Sequence, residues 1–137
     1  MDLVDRVLAG DQRAIARAIS IIEDESPEAS RLIARLFGHI GGATVIGVTG
    51  PPGVGKSTLV DRLTTEWRHE GSRVGIIAVD PTSPFSGGAV LGDRIRMTSH
   101  FSDPHVFIRS MASRGDHGGL AAKTQVAGEV FDAAGFD

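Results

Sequence analysis

Cysteine is absent from the 137 residues, which excludes a disulfide framework, a thiolate nucleophile and any zinc site built on sulfur. A reducing cytosol fits that absence. Long apolar runs are missing too, so no stretch resembles a bilayer-crossing segment. The start, Met1-Asp2-Leu3-Val4-Asp5-Arg6, lacks the basic residues and apolar core of a secretory signal, and the expected location is the cytoplasm. Lysine is nearly missing: 12 of the 14 basic residues are arginine, leaving Lys56 and Lys123, whose positions therefore carry more information. There is no excess of positive charge either, with a formal net charge of −3 and a pI near 5.9. No cationic field exists to hold a nucleic-acid backbone or an anionic bilayer, so neither is an expected partner. What remains is ordinary globular usage, 41% apolar and 23% charged, in a chain long enough for one core.

Apolar spacing divides the chain near residue 43. Leu3, Val7 and Leu8, then Ile15, Ala18, Ile19 and Ile22, then Leu32, Ile33 and Leu36 recur at helical intervals, predicting short helices with one buried face. Ser26-Pro27-Glu28 reads as a helix start, and Gly38, Gly41 and Gly42 break the pattern. From Thr44 the period changes. Thr44 to Thr49 predicts a strand entering a glycine-rich turn; Leu59, Val60, Leu63 and Trp67 mark a helix that Gly71 stops; Val74 to Val79 predicts a second strand buried on both faces. Residues 81–92 hold too much proline and glycine for a regular element and read as a long loop. A short helix near 93–98, a strand near 105–109 and a helix near 119–134 complete a βαβ alternation.

Gly50-Pro51-Pro52-Gly53-Val54-Gly55-Lys56-Ser57 fits G-x-x-x-x-G-K-[ST] in full, between a predicted strand and a predicted helix. From the chain's own Gly, Lys and Ser plus Thr counts, roughly 0.005 accidental matches are expected. Glycines let successive N–H groups turn inward as an anion nest, and the helix start adds its positive end. Polyphosphate is the natural occupant, with Lys56 against the β- and γ-phosphates, Ser57 on magnesium and Thr58 adding an N–H and a hydroxyl. Asp61, one turn further, reads as a solvated helix-face carboxylate. Asp80 ends the next strand, where carboxyl ends of parallel strands line the ligand crevice; it serves magnesium and its waters, or caps a turn. Asp93 has the same two readings, magnesium region or helix cap. Trp67 is expected in the core. Arg114-Gly115-Asp116 spells an adhesion tripeptide with no such role expected here, His117 reads as an exposed loop side chain, and the other histidines show no metal-ligand spacing.

Three segments together carry a resemblance: Gly47-Val-Thr-Gly-Pro-Pro-Gly-Val-Gly-Lys-Ser-Thr-Leu59, Val79-Asp-Pro-Thr-Ser-Pro-Phe-Ser-Gly-Gly-Ala-Val-Leu-Gly-Asp-Arg94 and Ser113-Arg-Gly-Asp-His-Gly-Gly-Leu-Ala121. The chain resembles the ArgK/MeaB family of P-loop GTPases, chaperones of adenosylcobalamin-dependent methylmalonyl-CoA mutase and related acyl-CoA mutases. The resemblance implies an α/β fold: a P-loop NTPase three-layer sandwich with a mostly parallel sheet, incomplete here, over 44–137, preceded by a helical segment over 1–43. It implies GTP/GDP and Mg2+ as ligands, Gly50 to Thr58 as the phosphate-binding residues, Lys56 and Asp80 as catalytic, and Ser57, Asp80 and Asp93 as the magnesium region. It further implies residues 81–92 as a switch segment, with Thr82, Ser83 and Ser86 as candidate ligands and Arg94 and Arg96 reaching phosphate or the mutase. A homodimer is implied for the intact family protein.

The chain contains no Asn-Lys-x-Asp segment to read guanine and no later acidic strand, so it reads as an amino-terminal fragment that binds nucleotide weakly and turns it over slowly. Besides the GTP-driven chaperone, two readings stand: an ATP-dependent small-molecule kinase or transport-linked ATPase, and a non-catalytic nucleotide-binding module.

Overall fold

A computed structural model describes residues 1–51, 53–80, 100–112 and 117–137; for 80, 112 and 117–120 the backbone alone is described. In order the elements are α1 (Leu3–Leu8), α2 (Gln12–Glu23), α3 (Ala29–Leu36), a 3-10 turn (Phe37–His39), α4 (Lys56–His69), β1 (Val74–Asp80), β2 (Val106–Ala112) and α5 (His117–Ala133). β1 and β2 pair in parallel, Val74 opposite Val106 through Asp80 opposite Ala112. The architecture is therefore mixed α/β with a parallel sheet, and two strands of it are present among the described residues.

The predicted helices and the strands at 74 and 105 form close to the expected bounds. α3 begins at Ala29, later than Ser26-Pro27-Glu28 suggests, because Ser26 Oγ reaches only the Glu28 N–H, at 3.5 Å. Two expectations are corrected. Residues 44–49 form no ladder, and Val45, Ile46 and Val48 stand 82%, 55% and 37% exposed. A strand exists by virtue of a partner, and among the described residues nothing lies alongside these amides beyond Thr44. Trp67 is half-buried rather than core, because the apolar stripe Val60, Leu63 and Trp67 of α4 faces a cleft. The loop expected at 81–92 and the helix at 93–98 lie outside the described residues.

Helix ends are specified by local chemistry. Asp2 and Asp11 cap α1 and α2, Asp11 accepting from the Arg13 and Ala14 N–H groups at 2.9 and 3.2 Å. Four helices stop in the same way. At the end of α4, Gly71 N–H donates to Arg68 C=O and Ser72 N–H to Trp67 C=O; at the end of α5, Gly135 N–H donates to Asp132 C=O and Phe136 N–H to Phe131 C=O. These paired bonds require a left-handed residue, which is Gly71 (φ 87°) and Gly135 (φ 92°) here, Gly10 (φ 83°) after α1 and Glu25 (φ 52°) after α2. The Phe136 ring then packs on Phe131 at 5.2 Å, the apolar contact that accompanies such a stop.

The core is shared by both ends of the chain. Val7, Ile15 and Ile19 from the first helices pack with Met111 of β2 and with Ala127, Val130 and Phe131 of α5. Arg109 of β2 reaches into this junction, donating to Glu23 Oε1 at 2.6 Å and Ser20 Oγ at 3.0 Å, so α2 is tied to the sheet by a charge pair as well as by apolar burial.

On the sheet face, Gly75 has no room for a side chain: a Cβ there would lie 2.8 Å from Phe131 Cδ2 and 2.9 Å from its Cγ. Gly75→Ala is therefore expected to lower stability by about 1–3 kcal/mol, as overpacking against a rigid ring does, read as a fall in the urea midpoint with unchanged slope.

Among the described residues three carboxylates titrate below their ordinary value of 3.8: Asp103, held mainly by the Arg68 guanidinium and then by the His105 N–H; Asp11, held by the Ala14 N–H and then by Arg6; and Asp2, held by the Asp5 N–H and then by Arg35. A depressed folded pKa contributes stability that is complete above the ordinary value and lost as pH falls through the depressed one. The urea midpoint is expected to fall below about pH 4. Asp103→Asn should make that decline shallower.

Candidate nucleotide-phosphate site

Gly53 (φ 83°) and Gly55 (φ 95°) both occupy the left-handed region, which bends the chain sharply between Gly50 and the start of α4. The turn closes on itself: a Cβ at Gly50 would sit 3.3 Å from Val54 Cγ2 and 3.7 Å from Lys56 Cδ, so the lysine stem lies across the first glycine of the loop. Gly55 is the N-cap of α4 and offers no side-chain acceptor; its carbonyl takes the first helical bond from Leu59 N–H at 2.9 Å. The positive end of a 14-residue helix is thus left without a side-chain cap beneath a glycine turn.

Around this turn Gly53, Val54, Gly55 and Thr58 are exposed while Lys56 and Ser57 are half-buried. Lys56 has no carboxylate partner among the described residues, so its ammonium is not neutralised from within that set. Pro51 is exposed, and Pro52 lies outside the described residues. Asp80 closes β1 with its backbone opposite Ala112, which puts its Cα at the carboxyl end of the sheet. Asp93, the switch segment with Thr82, Ser83 and Ser86, and Arg94, Arg96 and Arg114-Gly115-Asp116 lie outside the described residues. His117 opens α5.

Among the described residues no group of three or more His, Asp or Glu converges as a metal site. Magnesium does not need one, since it keeps several waters and binds through one or two protein oxygens plus substrate phosphates. The donor types available, a Ser57 hydroxyl at the helix start and aspartate carboxylates, are hard oxygens and suit that ion.

Asp61 is not a solvated carboxylate. His100 Nε2 stands 2.9 Å from its Oδ1, and also 3.3 Å from the Asp61 carbonyl oxygen and 3.4 Å from Thr65 Oγ1, with the ring buried. Sequence spacing gives no sign of this pairing, because 39 residues separate the partners. A second unforeseen element is Asp132, whose carboxylate accepts from three successive N–H groups, Gly41 at 2.8 Å, Gly42 at 3.1 Å and Ala43 at 3.2 Å. It fixes the start of the segment that leads to the phosphate turn. A cleft of about 610 Å3 runs between 44–48, α4 and β1 and reaches Lys56 and Ser57 at one end, two residues that it shares with the candidate phosphate site.

No helix among the described residues is long and apolar enough to cross a membrane. The family described as methylmalonyl Co-A mutase-associated GTPase MeaB matches residues 15–137. A Pyrococcus abyssi protein named as a GTPase is 54% identical over 136 residues, 99% of this chain and 42% of that protein. GTPase ArgK of Escherichia coli is 33% identical over 138 residues, 98% of this chain and 42% of its own length. The fused isobutyryl-CoA mutase of Nocardia farcinica is 44% identical over 118 residues, 83% of this chain and 11% of that protein. The chain thus spans about two-fifths of the length of the first two relatives. By the extent of the family match, the chain belongs to the MeaB family of mutase-associated GTPases.

Proposed function

We infer that this chain is the phosphate-binding part of a cytoplasmic GTPase that binds and hydrolyses GTP while serving as chaperone to an adenosylcobalamin-dependent acyl-CoA mutase. The observation that carries the nucleotide reading is the pair of left-handed glycines ahead of a helix start that has no side-chain cap. Such a turn is built for an anion with several oxygens, because its donors are main-chain N–H groups and its field comes from the helix. The mutase reading is supported by the fused isobutyryl-CoA mutase, in which a segment similar to this one belongs to the same polypeptide.

In this reading the amides of residues 50–58 orient the triphosphate, and the Lys56 ammonium offsets negative charge on the β- and γ-phosphates. Ser57, Asp80 and Asp93 would hold magnesium, which would offset negative charge on the phosphates. Residues 81–92 would respond to the γ-phosphate, linking nucleotide state to the mutase.

Calorimetric titration of the 137-residue chain with GTP and with ATP, each with and without magnesium, tests this. Both triphosphates should bind, magnesium should tighten both, and phosphate release should be slow. In a longer polypeptide that includes an Asn-Lys-x-Asp segment, GTP should gain over ATP. Equal binding of a triphosphate and the bare nucleoside would refute a phosphate site.

A further inference from the structure

Among the described residues His100 is the one buried ionisable side chain, and the phosphate chemistry makes no use of it. Its Nε2 stands among three oxygens of α4: Asp61 Oδ1 at 2.9 Å, the Asp61 carbonyl at 3.3 Å and Thr65 Oγ1 at 3.4 Å. A carboxylate and a carbonyl only accept, and the Thr65 hydroxyl spends its hydrogen on the Asp61 carbonyl at 3.1 Å. Nε2 therefore carries a hydrogen and donates it to α4. Further along the same helix, Arg68 Nε donates to Asp103 Oδ2 at 2.8 Å. Positions 61, 65 and 68 share one face of α4, and all three meet the turn 100–105 that leads into β2.

That turn is itself held. Asp103 N–H donates to His100 C=O and Val106 N–H to Asp103 C=O, each at 3.1 Å, and Asp103 Oδ1 accepts from His105 N–H at 2.9 Å. Gln12, at the start of α2, donates from Nε2 to Pro104 C=O at 2.9 Å. The apolar stripe of α4 lies on another face, half-buried along the cleft, so the polar links to the turn carry much of the hold on this helix.

We propose that His100 is a positioning residue for the phosphate site: by pinning Asp61 and Thr65 it fixes the angle at which α4 presents its amino-terminal amides, Lys56 and Ser57 to the anion. The proposal rests on the phosphate-site reading above. Asp61 lies one helical turn from Ser57, roughly 6 Å along the axis, so the pin acts close to the end that matters. Several main-chain N–H groups and one ammonium must converge on a single ligand, and a small tilt of the helix carries them off it together.

The test measures amide hydrogen exchange and calorimetric binding of magnesium-GTP on the 137-residue chain and its variants. His100→Phe keeps a ring and loses the donor. The amides of residues 60–66 should then exchange about tenfold faster while those of α2 keep their rates, and the Kd should rise at least about threefold. His100→Gln, whose amide nitrogen reaches the place of Nε2, should restore most of both. Arg68→Met cuts the other link from a partly exposed position and should move both readouts the same way, so it decides the matter if the phenylalanine variant does not fold. Faster exchange in α2, α4 and α5 alike would make His100 a filler of the core and overturn the proposal. Loosening of α4 with an unchanged Kd, or no recovery in His100→Gln, would overturn it too. A wild-type chain that binds no magnesium-GTP refutes instead the phosphate-site reading, and with it the proposal, before any substitution is made.

Discussion

Lys56→Ala is expected to weaken binding of magnesium-GTP about a hundredfold while leaving the unfolding midpoint nearly unchanged. Removing one partner of a desolvated charge pair costs about 2–5 kcal/mol, and each 1.4 kcal/mol is about tenfold in Kd. Stability should be spared because Lys56 is half-exposed and pairs with no carboxylate among the described residues; only its stem touches the loop, near Gly50. Lys56→Arg distinguishes point charge from generic positive charge: the fork of a guanidinium fits a turn whose stem crosses a glycine poorly, so only part of the affinity should return. Titration calorimetry on the three proteins measures this, and equal affinities for wild type and alanine variant would remove Lys56 from the phosphate site.

Asp132→Ala should show the opposite pattern, a loss of stability of about 2–4 kcal/mol with any change in nucleotide affinity following from it. Three N–H groups converge on this one carboxylate, and hydrogen bonds to charged acceptors are worth about 1.5–3 kcal/mol each, less than additively when they share an acceptor. Asp132→Asn should recover only part of the loss, since it trades an acceptor oxygen for an amide that faces donors. Urea unfolding supplies the energies, and hydrogen exchange at residues 41–43 supplies the location. A midpoint shift worth less than about 0.5 kcal/mol would show that solvent replaces the carboxylate freely.

The legible parts of this molecule were those whose cause is local. The Lys56 turn, the helix stop at Gly71 and the apolar strand from Val74 are each set by a few neighbouring residues, although that strand is not covered on both faces as its apolar run suggests, Val79 standing 42% exposed. The segment 44–49 was misread because a strand depends on pairing, which composition does not encode. Trp67 was misplaced for the same reason: helical spacing identifies an apolar stripe but not whether anything lies against it. His100 on Asp61, Arg109 on Glu23 and Asp132 on the 41–43 amides join positions 39 to 91 residues apart, and no periodicity brings such pairs together. The Gly75 contact with Phe131 was equally invisible, although a glycine inside an apolar strand is the usual sign of close approach.

The shared core has a consequence for how the molecule is made. Val7, Ile15 and Leu36 share one core with α5, so until α5 is made the first three helices can bury their apolar faces only in part, against one another. At about 5–20 residues per second, the wait between synthesis of α3 and of Phe131 lasts roughly 5–20 s. During that interval the nascent chain presents amphipathic helices to whatever is nearby, which makes its early life, more than its finished form, the period when a holdase would matter.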